Sequence, residues 1–270
     1  MFASDYFEKN EFFYSSHYDL LNLDDCVLRA LLDASAVNRI IIKPTVGGMS
    51  GHGVNLFEKT DNGEWISHDG NVALSMEYLL NYGKDLIIQE CVTQFDYIKQ
   101  FNPTSINTLR LTLYRSVKDD SFNVTSSIIR ICGKDSFVDN AHAGGCFVGI
   151  LPNGLLDKKV VNQYGKVVYT FNGIDFSKDY QIPNWDKIID FAKCIGRYVP
   201  HHRLLALDLA IDKNGNPKLI EFNGEWYSMW LFQFTSSSAF GEYTDEIIEY
   251  CSKQMSELEY VKYIYNLVVL

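Results

Sequence analysis

Several things are scarce in this chain, and each scarcity closes off a class of function. No two cysteines stand at CxxC spacing. None of the six (Cys26, Cys91, Cys132, Cys146, Cys194, Cys251) is spaced with histidine as a zinc-ligand set requires. Three of them lie in apolar, strand-like runs, so the cysteines read as buried, reduced thiols rather than as a disulfide frame. No apolar run reaches the roughly 20 residues that cross a bilayer. The opening MFASDYFEKNEFF is acidic and mixed, unlike a secretory leader. Base is short of acid: 24 Lys and Arg against 34 Asp and Glu leave a formal charge of −10. A broad nucleic-acid or anionic-membrane surface is therefore not expected, because counterion release needs clustered cations. Repeats, low-complexity tracts and Pro/Gly/Ser linkers are missing too. The expectation is a cytoplasmic protein with no membrane span and no nucleic-acid partner.

What is present is apolar and aromatic sequence enough for a large core, in one large domain or in two lobes sharing a cleft. Residues 18–35 (YDLLNLDDCVLRALLDAS) carry Leu and Val at helical spacing, with Asp24 or Asn22 as a cap. Short strands follow at 39–44, 53–59 and 64–69, then a helix over 72–83 ended by Gly83 and a buried strand DLIIQECV. INTLRLTLYRS and FNVTSSIIRICG alternate like antiparallel strands around a DD turn. A hairpin after the loop 134–146, an amphipathic helix over 185–199, the hairpin LLALDLAID–KNGNP–KLIEFN and a last helix DEIIEYCSKQM complete the pattern. The class is α+β with mostly antiparallel strands.

Four features carry chemistry. The first is KPTVGGMSGHGV (43–54), with four glycines in seven residues after the strand that holds Lys43. Either the glycines turn a hairpin, or they bare backbone N–H groups for phosphate. It is not a GxxxxGK[ST] loop, and the lysine precedes the glycines, against the protein-kinase order. The second is Asp208 in LLALDLAID with Glu221 and Asn223 in KLIEFN. The turn between them pairs the two strands, so that Asp208 could lie across from Glu221, and Asn223 two residues on shares the face of Glu221. Acids in apolar strands need neutralising. A hard cation such as Mg²⁺, which takes oxygen ligands, would do so; a salt-bridged edge hairpin is the alternative. The third is Arg110 and Arg130, each flanked by apolar residues on a strand, as phosphate-reading forks or as surface arginines. The fourth is VDNAHAGGC (138–146), with Asn140 as a polar positioner and His142 as a general base or a plain surface residue.

Taken in order, the Lys–Pro and glycine-rich hairpin, the strand LIIQE, FNPTSINTLR (101–110), RICGKDSFVDNAHAGG (130–145) and D-x12-E-F-N resemble the ATP-grasp superfamily over about residues 36–224. The nearest likeness is to its branch associated with sugar transfer and polysaccharide biosynthesis; the DNAHAGG loop is also similar to one in amino-acid ligases. The resemblance implies a two-lobed fold, with residues 1–90 as the N-terminal lobe and 91–270 as the C-terminal lobe, and the nucleotide in the cleft between them. It implies that ATP is held by Lys43 at the α/β-phosphates, by Gly48, Ser50, Gly51 and Gly53 over the β/γ-phosphates, and by Gln89, Glu90 and Val92 at the adenine. Asn107 joins this set. One or two Mg²⁺ ions, for which Mn²⁺ can substitute, fall to Asp208, Glu221 and Asn223. Arg110, Arg130, Asn140 and His142 are implied as catalytic. Only 38 residues precede the Lys43 strand, so the pre-ATP-grasp domain is expected to be largely absent. The acceptor site is then completed elsewhere, by a homo-oligomer or a partner subunit.

The expected activity is an ATP- and Mg²⁺-dependent carboxylate–amine ligase working through an acyl phosphate. Its carboxylate would be a sugar uronate or amino acid, with a sugar nucleotide as one form, in capsule or other surface-polysaccharide biosynthesis. An ATP-dependent kinase of a sugar or small-molecule hydroxyl is the alternative, as is a non-catalytic nucleotide-binding subunit of a glycosylation assembly. Trp226 and Trp230, four apart after the metal motif, read as a core helix or as a wall on which a sugar ring stacks, with Glu225 close by.

Overall fold

The chain is described by a computed structural model over residues 2–3, 7–8, 11–16, 19–35, 37–45, 53–83, 86–133, 144–225, 227–235 and 238–254, with side chains described from residue 21 onward. It groups into two compact units, Met1–Val92 and Thr93–Leu270.

The first unit begins with strands β1 (Phe2–Ala3), β2 (Phe7–Glu8), β3 (Glu11–Ser16) and β4 (Asp19–Leu23), before helix α1 (Asp25–Ala34). The helical reading of 18–35 is thus half corrected. Leu21, Asn22 and Leu23 also fit a period of two, and pairing with β3 decides the matter: Phe12 lies opposite Leu23 and Tyr14 opposite Leu21. The helix starts where Asp24 caps it, its carboxylate accepting the Val27 N–H at 2.9 Å. Strands β5 (Arg39–Pro44), β6 (Asn55–Lys59) and β7 (Trp65–Ser67), helix α2 (Met76–Tyr82) and strand β8 (Leu86–Glu90) follow. Helix α2 is shorter than the expected 72–83. Residues 72–74 are drawn along β7, the Ser67 N–H donating to the Val72 carbonyl and the Leu74 N–H to the Trp65 carbonyl, and Ser75 caps the helix. The sheet order is β1-β8-β5-β6-β7, antiparallel throughout. Ile40 and Ile42 face a core made with Leu28, Leu32, Phe57 and Ile88. By strand alternation Ile41 and Lys43 face the other way.

The second unit holds α3 (Asp96–Lys99), β9 (Thr108–Arg115), β10 (Phe122–Ile131), β11 (Cys146–Gly149), β12 (Val160–Asn162), β13 (Val167–Val168), a small hairpin of β14 (Thr170–Phe171) and β15 (Ile174–Asp175), α4 (Trp185–Arg197), β16 (Leu204–Ile211), β17 (Pro217–Asn223) and α5 (Met229–Thr235). A 3-10 turn, Gly241–Tyr243, leads into a helix over 244–254. Seven strands form one antiparallel sheet in the order β13-β12-β11-β10-β9-β16-β17. Alternation sorts its faces. Leu109, Leu111 and Leu113 of β9 and Leu205, Leu207 and Leu209 of β16 point to a core with Trp185, Ile188 and Ala192 of α4. On the opposite face Ile128, Phe147 and Val161 meet Leu231 and Phe232 of α5. That face, where α5 does not pack, carries the polar side chains discussed below.

All six cysteines are free, as expected, but only Cys132 and Cys146 are buried. Cys26, Cys194 and Cys251 are exposed, because each falls on the outward side of a helix, which helical periodicity allows and apolar neighbours in sequence conceal.

The last helix is tied down by one carboxylate. Glu246 accepts from the Tyr114 hydroxyl at 2.9 Å, the Ser116 hydroxyl at 2.8 Å and the Val117 N–H at 2.8 Å, and Lys118 lies 3.6 Å away. Burial alone would push the Glu246 carboxyl up, but the bonds from Ser116, Tyr114 and Val117, with Lys118, hold it below its usual 4.5. A depressed carboxyl stabilises the fold above its unfolded value and ceases to do so as pH falls through the folded one. Glu246→Gln should therefore lower the melting temperature at neutral pH, and its deficit against wild type should close as pH falls below 4.5. A deficit independent of pH in a melting series would contradict the latch.

Candidate active site

Register alone assembles the polar face of the second unit. Asp208 on β16 lies opposite Arg110 on β9 and, on its other side, opposite Glu221 on β17. Arg110 in turn lies opposite Ile128, and two residues further along β10 Arg130 lies opposite Thr108. Directly opposed residues of antiparallel strands share a face, with Cβ atoms about 4.5–5.5 Å apart. Arg110, Asp208 and Glu221 therefore form a row, with Arg130 and Thr108 beside it. Asn223, opposite Ala206, stands on the same face. The pairing shifts between Asp208 and Leu209, so that Leu219 faces Leu209. Ile220 is the extra residue of a bulge beside the polar row.

The charges lock together. Arg110 Nη1 lies 3.2 Å from Asp208 Oδ2, and Arg130 Nη2 lies 3.3 Å from the same oxygen. Arg130 Nε donates to the Thr108 hydroxyl at 3.0 Å. Asp208 is fully buried and Arg110 nearly so. The Arg130 side chain keeps 19% of its surface exposed, so of the two it is the one with a head toward solvent. The salt-bridge alternative for the acids is thus realised at Asp208, but inside the sheet and with arginines of neighbouring strands. Glu221 is exposed.

These residues also fit a cation. No cluster of three Asp, Glu, His or Cys side chains occurs among the described residues; the donors on offer are two carboxylates and one amide. All three are oxygen ligands on one face, the set a hard divalent ion takes. Asn223 Nδ2 is buried with no hydrogen-bond partner among the described residues; as a donor it asks for an acceptor such as a phosphate oxygen, and leaves the amide oxygen as the atom that could ligate a cation.

The other expected residues fall as follows. In the first unit Lys43 is half-buried on β5, opposite Ile87, and Gln89 lies opposite Ile41. Lys43 and Gln89 therefore share the face turned away from the core. Glu90 is exposed at the end of β8, and the next N–H, that of Cys91, donates to the Arg39 carbonyl at 3.0 Å. Val92 is half-buried. Gly53 has φ of 79°, and a Cβ there would lie 3.1 Å from Pro44; this glycine is required by its turn and close approach. Gly48, Ser50, Gly51, Asn140, His142 and Trp226 lie outside the described residues. Trp230, within α5, packs edge-on against Phe147 and Phe234, as the core reading expects.

Asn107 is taken up on its donor side by neighbouring chain, while its Oδ1 is buried with no hydrogen-bond partner among the described residues. It is buried, its N–H donates to Gln94 Oε1 at 2.7 Å, and its Nδ2 reaches the carbonyls of Ile98 and Asn102, each at 3.1 Å. Asn102 and Asn172 both donate to the Cys132 carbonyl. This buried amide chain fixes the end of β10, one residue beyond Ile131 and two beyond Arg130. Gln94, Asn102, Asn172 and Thr108 are positioning residues that the sequence reading passes over. Alternation from Arg110 points to Thr108; nothing in the spacing points to Asn172. Burial pushes the Cys146 thiol up to about 11, so this cysteine stays a thiol.

Removing Asp208 would leave two guanidiniums facing each other in a buried setting. Asp208→Ala should destabilise the protein by about 3–5 kcal/mol in urea titrations, and a loss below about 1 kcal/mol would show the carboxylate to be dispensable to the fold.

No curated protein matches the chain. Among solved structures, the chain is similar to the ATP-grasp ligase PsnB complexed with a phosphomimetic variant of minimal precursor, Mg and ADP, at 11% identity and a TM-score of 0.40, over 83% of this chain and 57% of that one. It is similar also to PsnB complexed with minimal precursor, at 13% identity and a TM-score of 0.41, over 84% of this chain and 51% of that one. The chain thus spans little more than half the length of these structures. The family model for sugar-transfer associated ATP-grasp proteins matches residues 22–247, and the chain belongs to that family.

Proposed function

We propose that this protein is an ATP- and Mg²⁺-dependent ligase that joins a carboxylate to an amine, with a sugar uronate or amino acid as the carboxylate, in the building of capsule or other surface polysaccharide. The observation that carries the reading is the polar face of the seven-stranded sheet. Two guanidiniums, two carboxylates and an amide are held there by strand register, in a chain whose family grips ATP.

The chemistry asks for two displacements. A substrate carboxylate oxygen attacks the γ-phosphorus and ADP leaves; the amine nitrogen then attacks the acyl carbon, phosphate leaves and the ammonium proton passes to a base. Both steps gather negative charge, and the protein's part is positioning and charge stabilisation. Mg²⁺ held by Asp208, Glu221 and Asn223 would supply charge neutralisation at the phosphate oxygens. Arg130, the more exposed guanidinium, meets the transferred phosphoryl group through its fork of donors. Arg110 stays inside and positions Asp208. In the first unit, Lys43 answers the nucleotide's phosphates, on the same sheet face as Gln89.

Glu221 separates activity from stability, because it lies at the exposed end of the row. Glu221→Gln should abolish ADP release while shifting the melting temperature little. Wild-type protein should sustain ADP release over many turnovers only when a uronate or amino acid and an amine are both supplied, and the product should be an amide. A phosphate ester as product would identify a kinase instead. Wild-type turnover by Glu221→Gln would remove the metal assignment.

A further inference from the structure

The turn between β9 and β10 and the C-terminal end of α4 enclose an open cavity of about 350 Å³ on the second unit. Its size lies at the low end of small-molecule sites. Its walls hold Arg115, Lys193 and Arg197 against one acid, Asp120, with Phe122 and Asn123. In a chain of net charge −10, a concave surface with three cations to one anion is unexpected.

The acid does not balance the bases. Asp120 already pairs with Arg115 at 3.1 Å and with Arg203 at 3.1 Å. Lys193 and Arg197 make no ion pair with any described residue, and they stand four apart on α4, where like charges repel. The negative end of the helix dipole accounts for Arg197 in the last turn of α4. It does not account for Lys193, a turn earlier, nor for the hollow between them and the hairpin. Arg115 gives its Nη1 to the Pro200 carbonyl at 2.7 Å. Its Nε is buried with no hydrogen-bond partner among the described residues. A buried donor without a partner on a cationic wall is what a bound anion would satisfy.

The floor is firmly made. The Arg115 guanidinium lies 5.9 Å from the centre of the Phe122 ring. A Cβ at Gly196 would lie 2.7 Å from that ring, so only glycine lets α4 settle this low against the hairpin. Asn123 Nδ2 bonds the Ser121 carbonyl and hydroxyl at 3.2 and 3.0 Å, holding the turn side of the cavity.

We propose that this cavity binds the phosphate group of a phosphorylated small molecule, clamped by Arg115, Lys193 and Arg197. The site is separate from the Asp208 face, since Arg110 and Arg115 are five residues apart on β9, roughly 17 Å at strand rise. It stands independently of the ligase reading.

The test uses the ¹⁵N-labelled full chain titrated at constant ionic strength with inorganic phosphate and, separately, with glucose 6-phosphate. The readout is the amide shifts of Asn123 and Gly196. Both anions should shift these amides saturably. Lys193→Gln/Arg197→Gln should need about tenfold more of either, the loss expected for one to two charge-assisted hydrogen bonds. Arg130→Gln, on the other face, should leave these curves unchanged. Three results would each overturn the assignment: no saturable shift, equal binding by the double variant, or a response to inorganic phosphate alone.

Discussion

A buried carboxylate between two guanidiniums ties together three strands of the second unit's sheet. Asp208 is buried on β16, one strand in from the edge of a seven-stranded sheet, and Arg110 and Arg130 reach it from β9 and β10. The cost of desolvating three ionic groups is offset by their mutual contact and by the Thr108 hydroxyl on Arg130. Such a cluster is a poor way to gain stability, since apolar residues of like volume would do as well. It is a good way to fix where charges point. Strands β9, β10, β16 and β17 must keep one register for the row to exist, and the leucines on the reverse face enforce that register by burial.

From that constraint the site follows. Asp208 is held rigidly, Glu221 is set beside it at the sheet's edge, and the bulge at Ile220 keeps Glu221 on the polar side. Helix α5 packs over β10, β11 and β12 through Leu231 and Phe232, and the polar row lies on the same face nearer β17. The amide chain of Gln94, Asn107, Asn102 and Asn172 then pins the end of β10 just past Arg130.

Much of this was legible in the sequence, for local reasons. The turn KNGNP between two apolar strands marks the hairpin, but its register, with Ile211 facing Pro217 and Leu209 facing Leu219, would set Ile220 opposite Asp208; the bulge there brings Glu221 opposite it instead, and no residue of the turn announces that. Leu and Arg alternating in NTLRLTLY place Arg110 on a face opposite the leucines. What could not be read depends on distant pairing. Arg110 and Asp208 are 98 residues apart, and nothing in either segment says that β9 and β16 are neighbours. A metal role and an ion-pair role for Asp208 therefore read as alternatives, where the structure presents the pair and leaves the oxygen set in place. The same cause moved Leu21–Leu23 from helix to strand, since β3 was needed to settle a pattern that fits both periods. The packing of Asn107 was hidden for a related reason: nothing in its motif shows the carbonyls of Ile98 and Asn102 that take up its Nδ2.

The central claim is that the row built on Asp208 is a metal-and-phosphate face. Anomalous scattering from crystals grown with Mn²⁺ and ADP tests it most directly. The account predicts a manganese peak within about 2.5 Å of carboxylate oxygens of both Asp208 and Glu221, with the Asn223 amide oxygen as a third ligand. A peak on other residues, with the Asp208 carboxylate still held by Arg110 and Arg130 alone, would contradict it.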